Sequence, residues 1–284
     1  MTTILDGKKI SKEIKDQIKK DIEKLGNQRR PKLAVILVGD DPASATYVAS
    51  KQKACEQAGI LSITKKLEES VSQQQLMVQI DELNKDETID GILIQLPLPK
   101  HMNEREVMVY VDPEKDVDGF HPINVGKLHL RQSTFVPATP KGVMELIKAY
   151  QIDLTGKRVV VIGRSHLVGR PLAQLLVDAN ATVTIAHSKT TNLEQICFQS
   201  EIIVAAVGVM HLVQKEWLRP NTILIDVGIH RTKDNKLTGD IDPSCKEKAL
   251  FMTPVPGGVG PMTIAMLLKN TMQAYKQRSE KYGI

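Results

Sequence analysis

The sequence predicts an α/β protein of two domains built from βαβ units. Three observations carry this expectation. Short runs rich in Val and Ile recur along the chain, continuous rather than alternating, as in strands buried on both faces of a parallel sheet. Segments of helical periodicity lie between them. The chain has 284 residues, more than one ordinary domain of about 150 residues uses.

The first element is a helix over residues 8–20, where Ile10, Ile14, Ile18, Ile22 and Leu25 recur at helical spacing and lysines fill the solvated face. A strand at 33–38 precedes a helix at 44–59, for which Asp41-Pro42 offers an N-cap and a first-turn proline. A helix at 73–85 leads to a strand at 89–95. The polar, proline-containing stretch 131–140 is the best boundary. Beyond it come a helix at 141–150, strands at 158–162, 182–186, 201–207 and 222–227, and helices at 170–180 and 193–201. The stretch TPVPGGVGPMT at 253–263 is a second break, and a last helix runs to about Gln277.

Composition excludes several function classes. The net charge of +5 comes with only 4% aromatic residues and no basic block interleaved with them, so a nucleic-acid partner is not expected. Cys55, Cys197 and Cys245 are odd in number, widely spaced and without a CxxC pair, which argues against disulfides and metal and for a reducing compartment. Asp6 and Glu13 interrupt the N-terminus, and no apolar run approaches the ~18 residues of a membrane span. A cytoplasmic, soluble protein is expected.

The stretch VVVIGRSHLVGRP at 159–171 has the shape of a strand, turn and helix that hold a phosphate. Gly163 permits the tight turn and Gly169 close helix packing, while the middle glycine of the usual fingerprint is missing. An ordinary βα turn is the competing reading. The next strand runs into His187-Ser188-Lys189-Thr190 with no acid to bind a ribose 2′-OH, and Arg164, Ser188 and Lys189 offer donors for a 2′-phosphate. The expected cofactor is NADP. Gly208 and Gly228 follow two further strands, at the sheet edge where nicotinamide would lie. Asp226 reads equally well as a turn or capping carboxylate.

In the first half, Tyr47 and Lys51 share a helix face. Gln95 ends an apolar strand, where an amide is out of character without a partner. Asp116 and Asp118 stand in DVDGFHP, and Asp118-Gly119 alone could be a turn. The prolines of 253–263 stiffen that stretch while its glycines admit close approach, a combination suited to lining a flat ligand.

Through YVASK, DGILIQLPLP, KDVDGFHP, GRSHLVGRP and TPVPGGVGPMT, in that order, the chain resembles the bifunctional methylenetetrahydrofolate dehydrogenase/cyclohydrolase family. The turn departs from the family only at His166 and Leu167. The resemblance implies a catalytic, folate-binding α/β domain at residues 1–138, completed by the helix at about 264–284. It further implies a Rossmann-like NADP domain with a parallel sheet at 139–263, a folate cleft between the two, and a homodimer.

Two reactions of one-carbon metabolism are implied. They are NADP-dependent oxidation of 5,10-methylenetetrahydrofolate to the methenyl cation, and its hydrolysis to 10-formyltetrahydrofolate. By the same resemblance Lys51 is the acid/base, Gln95 its uncharged partner, Tyr47 a stacking ring and Asp118 the acceptor for the pterin's N–H groups. Val255, Pro256 and Gly257 cover the folate, and Gly163, Arg164, Ser165, Gly169, Ser188, Gly208 and Ile229 hold the cofactor. The rival readings are a dehydrogenase-only member that prefers NAD and a non-catalytic nucleotide-binding protein. The lack of an acid after Ala186 and the joint presence of Lys51 and Gln95 count against them.

Overall fold

The apolar runs become strands and the periodic segments helices. The structure, a computed structural model, describes residues 1–283. In chain order the elements of the first half are β1 (Thr3–Ile4), α1 (Gly7–Glu23), β2 (Lys32–Val38), α2 (Pro42–Ala58), β3 (Leu61–Leu67), α3 (Gln73–Lys85), β4 (Gly91–Ile94), α4 (Glu104–Val109) and α5 (Pro122–His129). The second half adds α6 (Ala138–Ala149), β5 (Arg158–Ile162), α7 (Gly169–Asp178), β6 (Thr182–Ala186), α8 (Leu193–Gln199), β7 (Ile202–Ala205), β8 (Thr222–Asp226), β9 (His230–Arg231), β10 (Leu237–Thr238), β11 (Ala249–Met252) and α9 (Val259–Tyr282). Contacts divide the chain into two units, one of Glu13–Ala138 with Ile264–Ile284, the other of Met1–Lys12 with Thr139–Thr263.

The unit built on Glu13–Ala138 holds a parallel sheet in the order β3-β2-β4, with Val35 opposite both Thr64 and Leu93. From β2 the chain passes through α2 to β3 on one side, then through α3 to β4 on the other. The winding therefore reverses between β2 and β4. Leu76, Ile80 and Leu83 of α3 pack with Ile36, Ile92 and Ile94, each such burial contributing about 1.5–3 kcal/mol. Ser72 and Gln75 form a capping box that starts α3. The buried Lys115 ends it, donating to the carbonyls of Leu83 (2.9 Å), Asn84 (2.6 Å) and Asp86 (2.8 Å).

The far half of α9 belongs to this unit and is held by polar anchors. Asn270 Nδ2 donates to the carbonyls of Val117 (2.8 Å) and Val136 (2.9 Å). The fully buried Asp90 carboxylate accepts two hydrogen bonds from Arg29 (2.8 and 2.7 Å) and one from the Lys32 amide (2.9 Å), with Arg278 Nε at 3.7 Å. The Arg29 guanidinium lies 4.9 Å from the Tyr275 ring centroid. Arg278 therefore needs to stay helical, and α9 runs to Tyr282 rather than ending near Gln277.

The other unit contains a six-stranded parallel sheet in the order β1-β11-β8-β7-β5-β6. The chain goes from β5 through α7 to the edge strand β6, then crosses through α8 to β7, so the winding reverses between β5 and β7. The short ribbon β9-β10 is antiparallel. Residues 1–12 were expected with the first half but group here. Thr3 pairs with Phe251, Leu5 N–H donates to Met252, and Asp6 N–H donates to the Tyr150 hydroxyl (2.8 Å). A two-residue edge strand carries no apolar run that sequence periodicity could register.

Because the Asp90 carboxylate is buried while two arginines depend on it, Asp90→Ala should lower unfolding free energy by about 3–5 kcal/mol. Lys85→Ala, which removes an exposed i,i+4 pair with Asp81, should change it by less than about 0.5 kcal/mol. Urea unfolding of both variants checks the contrast, and equal effects would show that the Asp90 cluster does not anchor this unit.

Candidate active site

In the unit built on Glu13–Ala138, the reversal point between β2 and β4 is where the predicted residues meet. The Asp41 carboxylate accepts from the Ser44 amide (2.7 Å) and Pro42 opens α2, which sets the helix beside the end of β2. Lys51 and Tyr47 lie one turn apart on it; Tyr47 is 47% exposed and Lys51 partly buried. Gln95 directly follows β4, and its amide N–H donates to Ile36 of β2.

Lys51 Nζ donates to Gln95 Oε1 at 2.9 Å, while Gln95 Nε2 donates to the Leu96 carbonyl at 2.6 Å. The second bond turns the amide so that its oxygen faces the lysine. Burial pushes the Lys51 ammonium below the usual lysine range, opposed by the negative charge of Asp118. Cys55, one turn further on α2, is buried, and burial pushes its thiol up to about 12, so it is a packing group here.

The two acids of DVDG have different fates. Ile92 bridges to Asp116 as in a parallel strand, with Ile92 N–H donating to Lys115 (2.7 Å). Asp116 is buried and accepts from the His121 amide (2.8 Å) and Asn124 Nδ2 (2.8 Å). Asp118 is partly exposed and accepts no hydrogen bond among the described residues. Burial pushes its carboxyl up to about 6, with the Lys51 charge acting the other way and Asp116 adding to the rise. The resemblance singles out Asp118, and of the two aspartates it is the one whose carboxylate accepts no hydrogen bond among the described residues.

In the other unit, Gly163 follows β5 with φ +126°, and a side chain there would strike the Ala206 carbonyl; one at Gly169 would strike the Gly163 carbonyl. Ser165 Oγ accepts from the Val168 (3.1 Å) and Gly169 (3.4 Å) amides, which ties the turn to the start of α7 and leaves its O–H free to donate. The amides of Arg164, Ser165, His166 and Leu167 find no acceptor among the described residues. Arg164, Ser188 and Lys189 have exposed side chains. Free amides at a helix start, a turn with no room for side chains at Gly163 and Gly169, and basic groups without an acid fit a nucleotide phosphate.

Gly208 and Ile229 are exposed beyond β7 and β8. Val255 is partly buried, Pro256 exposed and Gly257 buried, and all three belong to this second unit. Both Leu96-Pro97 and Val255-Pro256 are cis peptides. Asp226, ambiguous in the sequence, is buried and accepts from the amides of Gly228, Asp240 and Ile241, which makes it structural. Arg170, not singled out from the sequence, donates through Nε to the Arg164 carbonyl (3.2 Å) and braces the turn. No cluster of three or more His, Cys, Asp or Glu suited to a metal occurs among the described residues.

Two family models match the chain. The tetrahydrofolate dehydrogenase/cyclohydrolase catalytic domain covers residues 5–118, and the NAD(P)-binding domain of the same family covers residues 137–279. The bifunctional protein FolD of Listeria innocua is 52% identical over 279 residues, 98% of each chain. A solved structure of the bifunctional FolD enzyme of Campylobacter jejuni is 48% identical with a TM-score of 0.97, covering 98% of this chain and 100% of that one. The Trypanosoma brucei enzyme, solved with NADP and an inhibitor, is 37% identical with a TM-score of 0.93 over 97% and 98% of the two chains. With both domain models matched in order, on a fold with a nucleotide turn in one unit and a lysine–amide pair in the other, the chain belongs to the tetrahydrofolate dehydrogenase/cyclohydrolase family.

Proposed function

We propose that this chain oxidises 5,10-methylenetetrahydrofolate with NADP and hydrolyses the methenyl product to 10-formyltetrahydrofolate, with Lys51 as the proton acceptor of the second step. Both activities are those of its family. The observation that carries the assignment of Lys51 is its hydrogen bond to an uncharged partner, the Gln95 amide.

Water attacking the methenyl carbon must lose a proton, and an ammonium cannot take it. A cationic Lys51 would also repel the cationic substrate. Burial favours the neutral amine, and Gln95 orients it without adding a negative charge that would hold its proton. Asp118, with both oxygens unspent and a carboxyl at about 6, is mostly ionised at neutral pH and suited to accept from the pterin's amino and ring N–H groups. Tyr47, exposed on the Lys51 face of α2, supplies a ring for the aminobenzoate portion to stack on.

The free amides at 164–167 with Arg164 and Ser165 hold the cofactor's phosphates, Gly163 and Gly169 admit them closely, and Ser188 with Lys189 receives the 2′-phosphate. When bound, NADP supplies the hydride acceptor. Gly208 and Ile229 line the nicotinamide end. The reading extends to a cytoplasmic homodimer. Three free, buried thiols, Cys55, Cys197 and Cys245, support a reducing compartment, and the dimer rests on the family resemblance. No helix among the described residues is long and apolar enough to cross a membrane.

The purified protein should reduce NADP faster than NAD when given 5,10-methylenetetrahydrofolate, with no accumulation of methenyl absorbance. No reduction with either nucleotide by folded protein would refute the proposed activity. Lys51→Met should lower methenyl hydrolysis by about 10²–10⁴-fold while some methylene oxidation persists; parent-like hydrolysis would remove Lys51 from the role. Gln95→Glu places a carboxylate beside the amine and raises its pKa. The rise of hydrolysis rate with pH, corrected for the enzyme-free rate, should move to higher pH in that variant, and an unmoved profile would mean that Lys51 is not the titrating base.

A further inference from the structure

We propose that His230 positions the nicotinamide end of the cofactor site through Asp240, acting on two loops at once. This rests on the reading above that the sheet containing β5 and β7 binds NADP. Asp240 is fully buried and divides its two oxygens between different duties. Oδ2 accepts from the amides of Val207 (2.7 Å) and Gly208 (3.1 Å), the first residues beyond β7's end region, and Oδ1 meets His230 Nε2 at 2.7 Å. The ring is itself mostly buried, with 17% of its side chain exposed.

A second buried carboxylate locks the first in place. Asp226 Oδ1 accepts from the amides of Asp240 (2.9 Å) and Gly228 (3.0 Å), Oδ2 accepts from Ile241 (2.8 Å), and the Asp226 amide donates to Thr253 Oγ1 (2.7 Å). The fit is close enough that any side chain at Gly239 would stand 2.0 Å from Asp226 Oδ2. Two acids therefore tie together residues 207–208, 226–228, 240–241 and 253.

The consequence is clearest at Ile229. It is 46% exposed, yet the residue before it is held by Asp226 and the residue after it by Asp240. An apolar side chain anchored on both sides and facing solvent is a fixed shelf, and Gly208 presents bare backbone from the neighbouring strand. Both lie beyond the carboxyl ends of strands beside the reversal point, where a dinucleotide binds in such sheets. Without the His230 bond, the Asp240 carboxylate loses the restraint on one oxygen and with it the fixed aim of the other. The loops must then be ordered by the ligand at the expense of affinity. His230 is a positioning residue in this scheme and touches neither substrate nor reacting atoms.

The test is calorimetric titration of NADP and NAD into the parent chain, His230→Ala and His230→Gln, with methenyl hydrolysis measured alongside without nicotinamide. His230→Ala should raise the NADP Kd by about tenfold, the value of one hydrogen bond to a charged group. His230→Gln, whose amide can donate to Asp240, should restore it to within about threefold. Methenyl hydrolysis should stay within about twofold of the parent, and the ratio of NADP to NAD affinity should be unchanged because the 2′-phosphate groups are untouched. An unaltered NADP Kd in His230→Ala would overturn the proposal, and so would a parallel loss of hydrolysis, which would make His230 a general stabiliser. A parent chain that binds no NADP would sink the cofactor reading itself and this inference with it.

Discussion

A parallel sheet whose winding reverses leaves two strand ends diverging with nothing between them, and this topological constraint places both groups of candidate residues. In the three-stranded sheet the reversal lies between β2 and β4, so the helix after β2 and the residue after β4 bring Lys51 and Gln95 to one point. In the six-stranded sheet it lies between β5 and β7, and the glycine turn at 163 meets the Ala206 carbonyl there. Neither arrangement needs a long loop. Each follows from the order of parallel strands, whose central members are apolar because helices cover both faces.

Within that frame, function is separated from structure by which polar groups are already satisfied. Asp116 and Asp118 are two residues apart, but Asp116 accepts from an amide and an asparagine on one oxygen while Asp118 accepts nothing among the described residues. Asp226 is spent on backbone amides and Asp240 on two amides and His230, so their burial signals loop architecture rather than acid catalysis. Ser165 sits between these cases. It accepts two amides and still keeps a proton to donate.

The central strands and most helices were legible because burial on two faces forces continuous apolar runs. What escaped was at the margins. β3, of sequence LSITKKL, is an edge strand whose residues are largely only half-buried, so polar side chains interrupt its pattern. β1 has two residues and is fixed only by its pairing with β11. The end of α9 depends on a distant aspartate, Asp90, which no local window contains. At the site, Tyr47, Lys51, Gln95 and Asp118 were marked by motifs, while the structural duty of Asp116 needed its hydrogen-bond partners. The brace from Arg170 and the buried pair of His230 with Asp240 had no motif to reveal them, since both are set by chain segments that converge only in space.

A comparison with the buried Lys115 of the same unit sharpens the case for Lys51. Lys115 gives all three ammonium protons to carbonyls at the end of α3, which anchors the helix, while burial pushes it down to about 8. Lys51 has one protein acceptor, the Gln95 amide. Two of its donors would go unmet among the described residues in the charged form, whereas a neutral amine has a lone pair to offer and fewer protons to satisfy. Three converging acceptors fix Lys115 in place, whereas Lys51 meets a single one. A lysine held by one neutral acceptor, next to a carboxylate with unspent oxygens, is what the proposed proton transfer calls for, because the fold around it does not depend on its charge.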